Sequence, residues 1–145
     1  MNKQRIFDII SDHLLTQGKQ SMRTIVDIDG INEDEPQCAY RGEDGMKCAL
    51  GILMPDEAYN ETLEGGTVVG LHIQDAIYEE TGPLSRGDLS FLDAMQRCHD
   101  QMGVIHSEWW PNRLKNLAEV YELVPNAKLL FEVKVEEERL GCRSR

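Results

Sequence analysis

The chain has 145 residues, 41% of them hydrophobic and 28% charged, which is enough apolar material for one folded core and too much for a disordered chain. Its 15 basic and 26 acidic residues leave a net charge of -11, so direct nucleic-acid binding is not expected unless the scattered cations gather on one face. No run approaches the roughly 18 apolar residues of a membrane span, and the first residues lead into an amphipathic pattern rather than a signal core. A protein that is neither exported nor membrane-bound is expected.

The first predicted element is a helix over residues 3–17. Ile6, Phe7, Ile10 and Leu14 share one of its faces, Asn2 caps its start and Gly18 suits a left-handed stop. The segment that follows is polar and acidic, with a short strand predicted only over residues 24–28. Residues 38–41 and 46–49 then flank Gly42-Glu43-Asp44-Gly45, the pattern of a hairpin or a tight strand-turn-helix. A two-residue turn pairs Cys38 with Ala49, whereas a three-residue turn ending on Gly45 pairs Tyr40 with Cys48 and puts both cysteines on one face. The apolar run after Cys48 reads as a short buried helix that stops before Pro55. Pro55-Asp56-Glu57 makes a good first turn for another helix reaching Leu63.

A helix is predicted over residues 71–80, then a loop at Gly82-Pro83. Asp88 is placed as the cap of a helix running to about residue 102, whose stripe of Phe91, Met95, Cys98 and Met102 has core spacing. Trp109-Trp110-Pro111 opens the next helix, buried through Leu114, Leu117, Ala118 and Tyr121 and ending near Leu123. Leu129, Phe131, Val133 and Val135 alternate with Glu132, Lys134 and Glu136, which predicts a strand with one buried face. The class is therefore α+β, a helix-dominated single domain with a small β-hairpin or sheet. The domain spans residues 1–136, and residues 137–145 form a charged C-terminal tail.

The most specific stretch is Cys38-x-Tyr40-Arg41-Gly42-x-x-Gly45-x-Lys47-Cys48-Ala49-x-Gly51, followed by Pro55-Asp56-Glu57-x-Tyr59 and Glu64-Gly65. It resembles the central block of a family of small, mostly uncharacterised proteins of tailed phages and prophages. Three further landmarks fit that pattern: His13-Leu14-Leu15-Thr16-Gln17-Gly18, a later Leu92-x-x-x-Gln96-x-x-His99-Asp100, and a Trp-led final helix over residues 110–123. The resemblance implies a phage origin, a place in the host cytoplasm and an accessory role. It transfers no catalytic residue.

Four cysteines without an export signal are expected to be reduced thiols, and no Cys-x-x-Cys pair marks a metal site. Candidate catalytic residues are Cys48, activated at the start of a helix, and His99 as its base, giving a cysteine-dependent hydrolase. Asp100 is a poor orienter for His99, because neighbours on a helix point about 100° apart. Cys38, Cys48 and His99, with Cys98 beside them, are the candidate zinc ligands. The competing expectation makes Cys48 and Cys98 core residues and His99 a histidine bonded to backbone, with no cofactor. Arg41 either clamps its turn through nearby carboxylates or meets a ligand, and Tyr40 and Trp109 join it as candidate ligand- or partner-binding residues. The balance is against an enzyme. The leading expectation is a small acidic protein that binds a host protein, with a homodimer allowed; the alternative is a small-molecule or zinc site around Cys38, Arg41, Cys48 and His99.

Overall fold

Helix α1 (Lys3–Gln17) forms where the apolar spacing places it, with the Asn2 side chain accepting from the Arg5 amide at 3.0 Å and Gly18 left-handed at φ 71°. The computed structural model describes residues 1–26, 32–103 and 110–143. Strands β1 (Met22–Val26) and β2 (Asn32–Cys38) follow as an antiparallel pair, Met22 opposite Cys38, with an irregularity between Thr24 and Val26. The strand expected at residues 24–28 is thus seen earlier, and residues 27 and 28 lie outside the described residues.

After β2 the chain crosses the central block in three single 3₁₀ turns, Glu43–Gly45, Gly51–Leu53 and Glu61–Leu63. It then builds α2 (Leu71–Thr81), α3 (Arg86–Asp100), α4 (Trp110–Val120) and α5 (Ala127–Arg143). The architecture is α+β, helix-dominated, with this one small sheet among the described residues. Helix α1 is the hub, packing on α3, α4, α5 and the Gly51–Leu53 turn. Phe7, Ile10 and Leu14 of α1 meet Leu50, Leu53, Ile77, Phe91, Leu92, Met95, Leu114 and Leu129 in one buried cluster. Phe91 meets the Tyr121 ring edge-on, with centroids 5.0 Å apart. Among the described residues no helix is long and apolar enough to cross a membrane.

Three expectations are corrected. The cap of α3 is Ser85, whose hydroxyl accepts from the Asp88 amide while the Asp88 carboxylate accepts from the Ser85 amide; Asp88 is thus the third residue of a capping box. Its charge also pairs with Lys3 at 2.9 Å, tying α3 to α1. The helix expected from Pro55 to Leu63 is instead one turn at Pro55–Tyr59 and a separate 3₁₀ turn, because the Asn60 side chain caps Thr62 and restarts the backbone there.

The largest correction concerns residues 129–135, which are helical in α5 rather than a strand. A strand there would need a partner for its amides, and a helix satisfies them internally. Asn126 starts it, accepting from the Leu129 amide at 2.8 Å and donating to Ser11 Oγ of α1 at 3.1 Å. Leu129, Val133 and Glu136, at i, i+4 and i+7, form the buried side. The helix runs on to Arg143 through residues 137–143, the first part of the stretch read as a tail.

Candidate functional site

The chemistry-bearing residues gather where the central block meets the C-terminal half of α3. The turn there follows the three-residue register: Arg41 bridges Lys47, the Gly42 amide donates to Met46 O at 2.9 Å, and Gly45 takes the left-handed φ of 73°. Gly42 and Gly51 answer to close packing. A Cβ on Gly51 would lie 2.1 Å from Tyr40 O, and one on Gly42 would lie 2.4 Å from Ser21 Oγ. The block is thereby pressed against itself and against Ser21 and Met22 at the start of β1.

A cleft of about 160 Å³ opens at this seam, walled by Cys38, Tyr40, Cys48 and Leu50, by Gly65–Val68, and by Asp93, Gln96, Arg97 and Asp100 of α3. The two cysteines do share it, but they differ. Cys48 is only 1% exposed and accepts from the Gly51 amide at 3.4 Å; burial pushes its thiol up to about 12, outweighing that hydrogen bond. Cys38 is exposed at the rim, and partial burial with the neighbouring Asp100 carboxylate raises its thiol to about 11. Both thiols are raised above the ordinary cysteine value, which disfavours the thiolate form a nucleophile needs.

His99 is fully buried. Its Nε2 accepts from the Ser21 amide at 2.8 Å, which fixes the proton on Nδ1, and Nδ1 donates to Asp100 Oδ1 at 2.9 Å. Asp100 therefore does orient its neighbour, against the sequence expectation. It sits on the last helical residue, where α3 ends and the backbone at Gln101 leaves helical geometry. Asp100 Oδ1 also receives Gln96 Nε2 at 2.9 Å, and Gln96 Oε1 accepts from the Leu50 amide at 3.1 Å. Both ring nitrogens of His99 thus have partners, the Ser21 amide and the Asp100 carboxylate.

The metal expectation changes membership. Cys38, His99 and Asp100, rather than Cys38, Cys48 and His99, bring one ligand atom each within 4.8 Å of one another. Cys98 belongs to the buried cluster. The donor set is poorly matched to zinc as it stands. A metal on Nδ1 would force a proton onto Nε2, and that proton would face the Ser21 N–H, donor against donor. The three groups fit a hydrogen-bonded network, not a first coordination shell.

Arg41 turns away from the cleft. Its Nη2 donates to Met54 O at 2.7 Å and pairs with Asp56 at 3.1 Å, and its guanidinium lies 5.3 Å from the centre of the Tyr59 ring. The clamp expected of Arg41 is the arrangement found, although its carboxylate partner is Asp56 rather than the adjacent Glu43 or Asp44. Tyr40 lines the cleft and donates its hydroxyl to Gly66 O. The Tyr40 and Arg41 amides both donate to the Glu64 carboxylate, at 3.2 Å each, so a pair of backbone donors of the kind that receives an anion is filled from within the chain. Trp109 lies outside the described residues.

Several polar residues that mattered were not singled out as site residues. Gln17 pairs with the Lys47 backbone in both directions, at 3.0 Å each way, and His13 Nε2 donates to Lys47 O at 2.7 Å. Burial lowers the His13 pKa, so that ring is a neutral donor at pH 7. His13/Gln17 and Gln96/Asp100 are i, i+4 pairs whose long polar side chains sit at the edge of an apolar stripe. That spacing was the available signal. His13, Gln17, Asp56, Glu64 and Gln96 all stand in the landmarks quoted above, and every one of them grips the central block.

Compared with known proteins, the chain matches no family model, no curated protein and no solved structure.

Proposed function

We propose that this chain is a small acidic accessory protein of a tailed phage or prophage, at work in the host cytoplasm, which acts by binding a host protein. The cleft at the seam is its contact point and receives a basic side chain of that partner. The observation that carries the reading is the state of Asp100: it lines the cleft, and His99 and Gln96 both donate to its Oδ1 and hold it in place. A carboxylate held in place loses little freedom when a cation arrives, and the net charge of -11 steers a basic surface toward it. The raised thiols and the doubly occupied imidazole favour binding over turnover.

The test compares the proteins retained from host lysate by the wild type and by Asp100→Asn, which keeps an acceptor for His99 and removes the charge. The expected result is one stoichiometric partner that the variant loses while its melting temperature stays close to wild type. An identical set of retained proteins would count against the cleft as the contact. A small-molecule site in the same place has the cavity of about 160 Å³ in its favour. A native mass spectrum carrying a ligand mass that disappears on denaturation would move the reading there.

A further inference from the structure

Strands β1 and β2 place two sulfur atoms side by side. Met22 and Cys38 are register partners at one end of the sheet, so their side chains leave the same face. Cys38 Sγ lies 3.7 Å from Met22 Sδ. Met22 is half-buried and Cys38 is exposed, so the pair is open to solvent. The thiol also stands against the C-terminal end of α3. Cys38, His99 and Asp100 each bring a ligand atom within 4.8 Å of the others. Gln20 Nε2 approaches Cys38 Sγ at 3.9 Å and donates to His99 O and Asp100 O at 3.2 and 2.8 Å. The sulfur pair therefore looks onto a carboxylate and the negative end of a helix, a field that draws a cation.

We propose that Met22 and Cys38 hold a soft monovalent metal ion, copper(I), with Asp100 supplying negative charge beside it. The sulfur separation fits such an ion. With sulfurs 3.7 Å apart, an ion about 2.3 Å from each, a usual metal–sulfur length, sees them about 107° apart, near the tetrahedral angle. Donor type selects the ion. Thiolate with thioether suits copper(I), whereas structural zinc takes thiolate, imidazole and carboxylate. The His99 ring takes no part and keeps its bonds to Ser21 and Asp100. A lone thiol would be an ordinary surface cysteine; the thioether fixed opposite by the strand register makes two donors for one ion. The exchange balances in charge. The Cys38 S–H bond breaks, its proton goes to solvent and a Cu–S bond forms, with no change of oxidation state. The site stands at the rim of the cleft and does not rest on the host contact proposed there.

The experiment is competition for copper(I) between the full chain and the coloured chelator bicinchoninate, without oxygen, with circular dichroism as the check on folding. The wild type should withdraw copper(I) from the chelate. Cys38→Ser should bind at least about 100-fold more weakly, and Met22→Leu, which keeps the bulk, about tenfold more weakly. Cys142→Ser should bind as the wild type does. X-ray absorption at the copper edge needs no variant to fold, and on the wild type it should show two sulfur neighbours at about 2.3 Å. A wild type that leaves the chelate intact would overturn the inference. So would full binding by folded Met22→Leu or Cys38→Ser, loss of binding in Cys142→Ser, or copper with fewer than two sulfur neighbours.

Discussion

The seam between the central block and α3 and the outer face of α5 are built on opposite principles. At the seam, polar groups from distant parts of the chain are spent on one another: the Ser21 amide on His99, His99 and Gln96 on Asp100, Gln17 and His13 on the Lys47 backbone, Glu64 on two backbone amides. On α5, Phe131 is 64% exposed and Val135 43% exposed. His99 and Arg41, which look chemical in the sequence, hold backbone and neighbouring side chains, and the stretch with strand patterning is a helix with exposed apolar residues.

The contrast can be broken first at its tightest point. Gly51→Ala puts a methyl group 2.1 Å from the Tyr40 carbonyl, and the backbone cannot give way as a side-chain end would. We expect a loss of about 3 kcal/mol in urea unfolding, the upper end for overpacking. His99→Leu comes next. It keeps bulk but orphans the Ser21 amide and one acceptor site on Asp100, for a loss of about 2 kcal/mol.

The pH dependence sharpens the same side of the comparison. The Cys48 thiol is raised from 9.0 to about 12 by burial, so the fold favours its protonated form. That contribution is complete below pH 9, where the unfolded thiol is also protonated, and is lost as the pH rises toward 12. Melting temperatures should fall across this window, and the fall should be shallower in Cys48→Ala. The Cys38 and Tyr40 groups, raised in the same direction by burial first, leave a residual slope. The smallest effect is on the other side of the contrast. Phe131→Ser should change the stability of the monomer by no more than about 0.5 kcal/mol, because no core contact is removed. A larger loss would mean that Phe131 is packed and the two regions are alike.

Much of the fold was legible where local and tertiary signals agree. Helix α1 carries a cap, an apolar face and a glycine stop, and it forms at the bounds the spacing gives. The seam was legible only in part. Tyr40, Cys38 and Cys48 do line one cleft, yet the partners of His99 come from Ser21, which is 78 positions away and carries no motif. The imidazole's role is set by a backbone amide, and backbone amides leave no mark on a sequence. Helix α5 was misread because alternating Leu129, Phe131, Val133 and Val135 has the period of a strand. Wound into a helix, the same alternation sends Leu129 and Val133 inward and Phe131 and Val135 outward, which is how the exposed face arises.

The claim that the seam's titratable groups are committed to one another, leaving the protein to act by binding, rests most heavily on His99. Its ring nitrogens can be read directly by ¹⁵N NMR of the full chain at neutral pH. The account predicts a single neutral tautomer with the proton on Nδ1, an Nε2 resonance shifted by the hydrogen bond from the Ser21 amide, and no change when zinc is added. A proton on Nε2, an imidazolium at neutral pH, or a zinc-dependent shift of either nitrogen would contradict it and return the cleft to acid-base or metal chemistry.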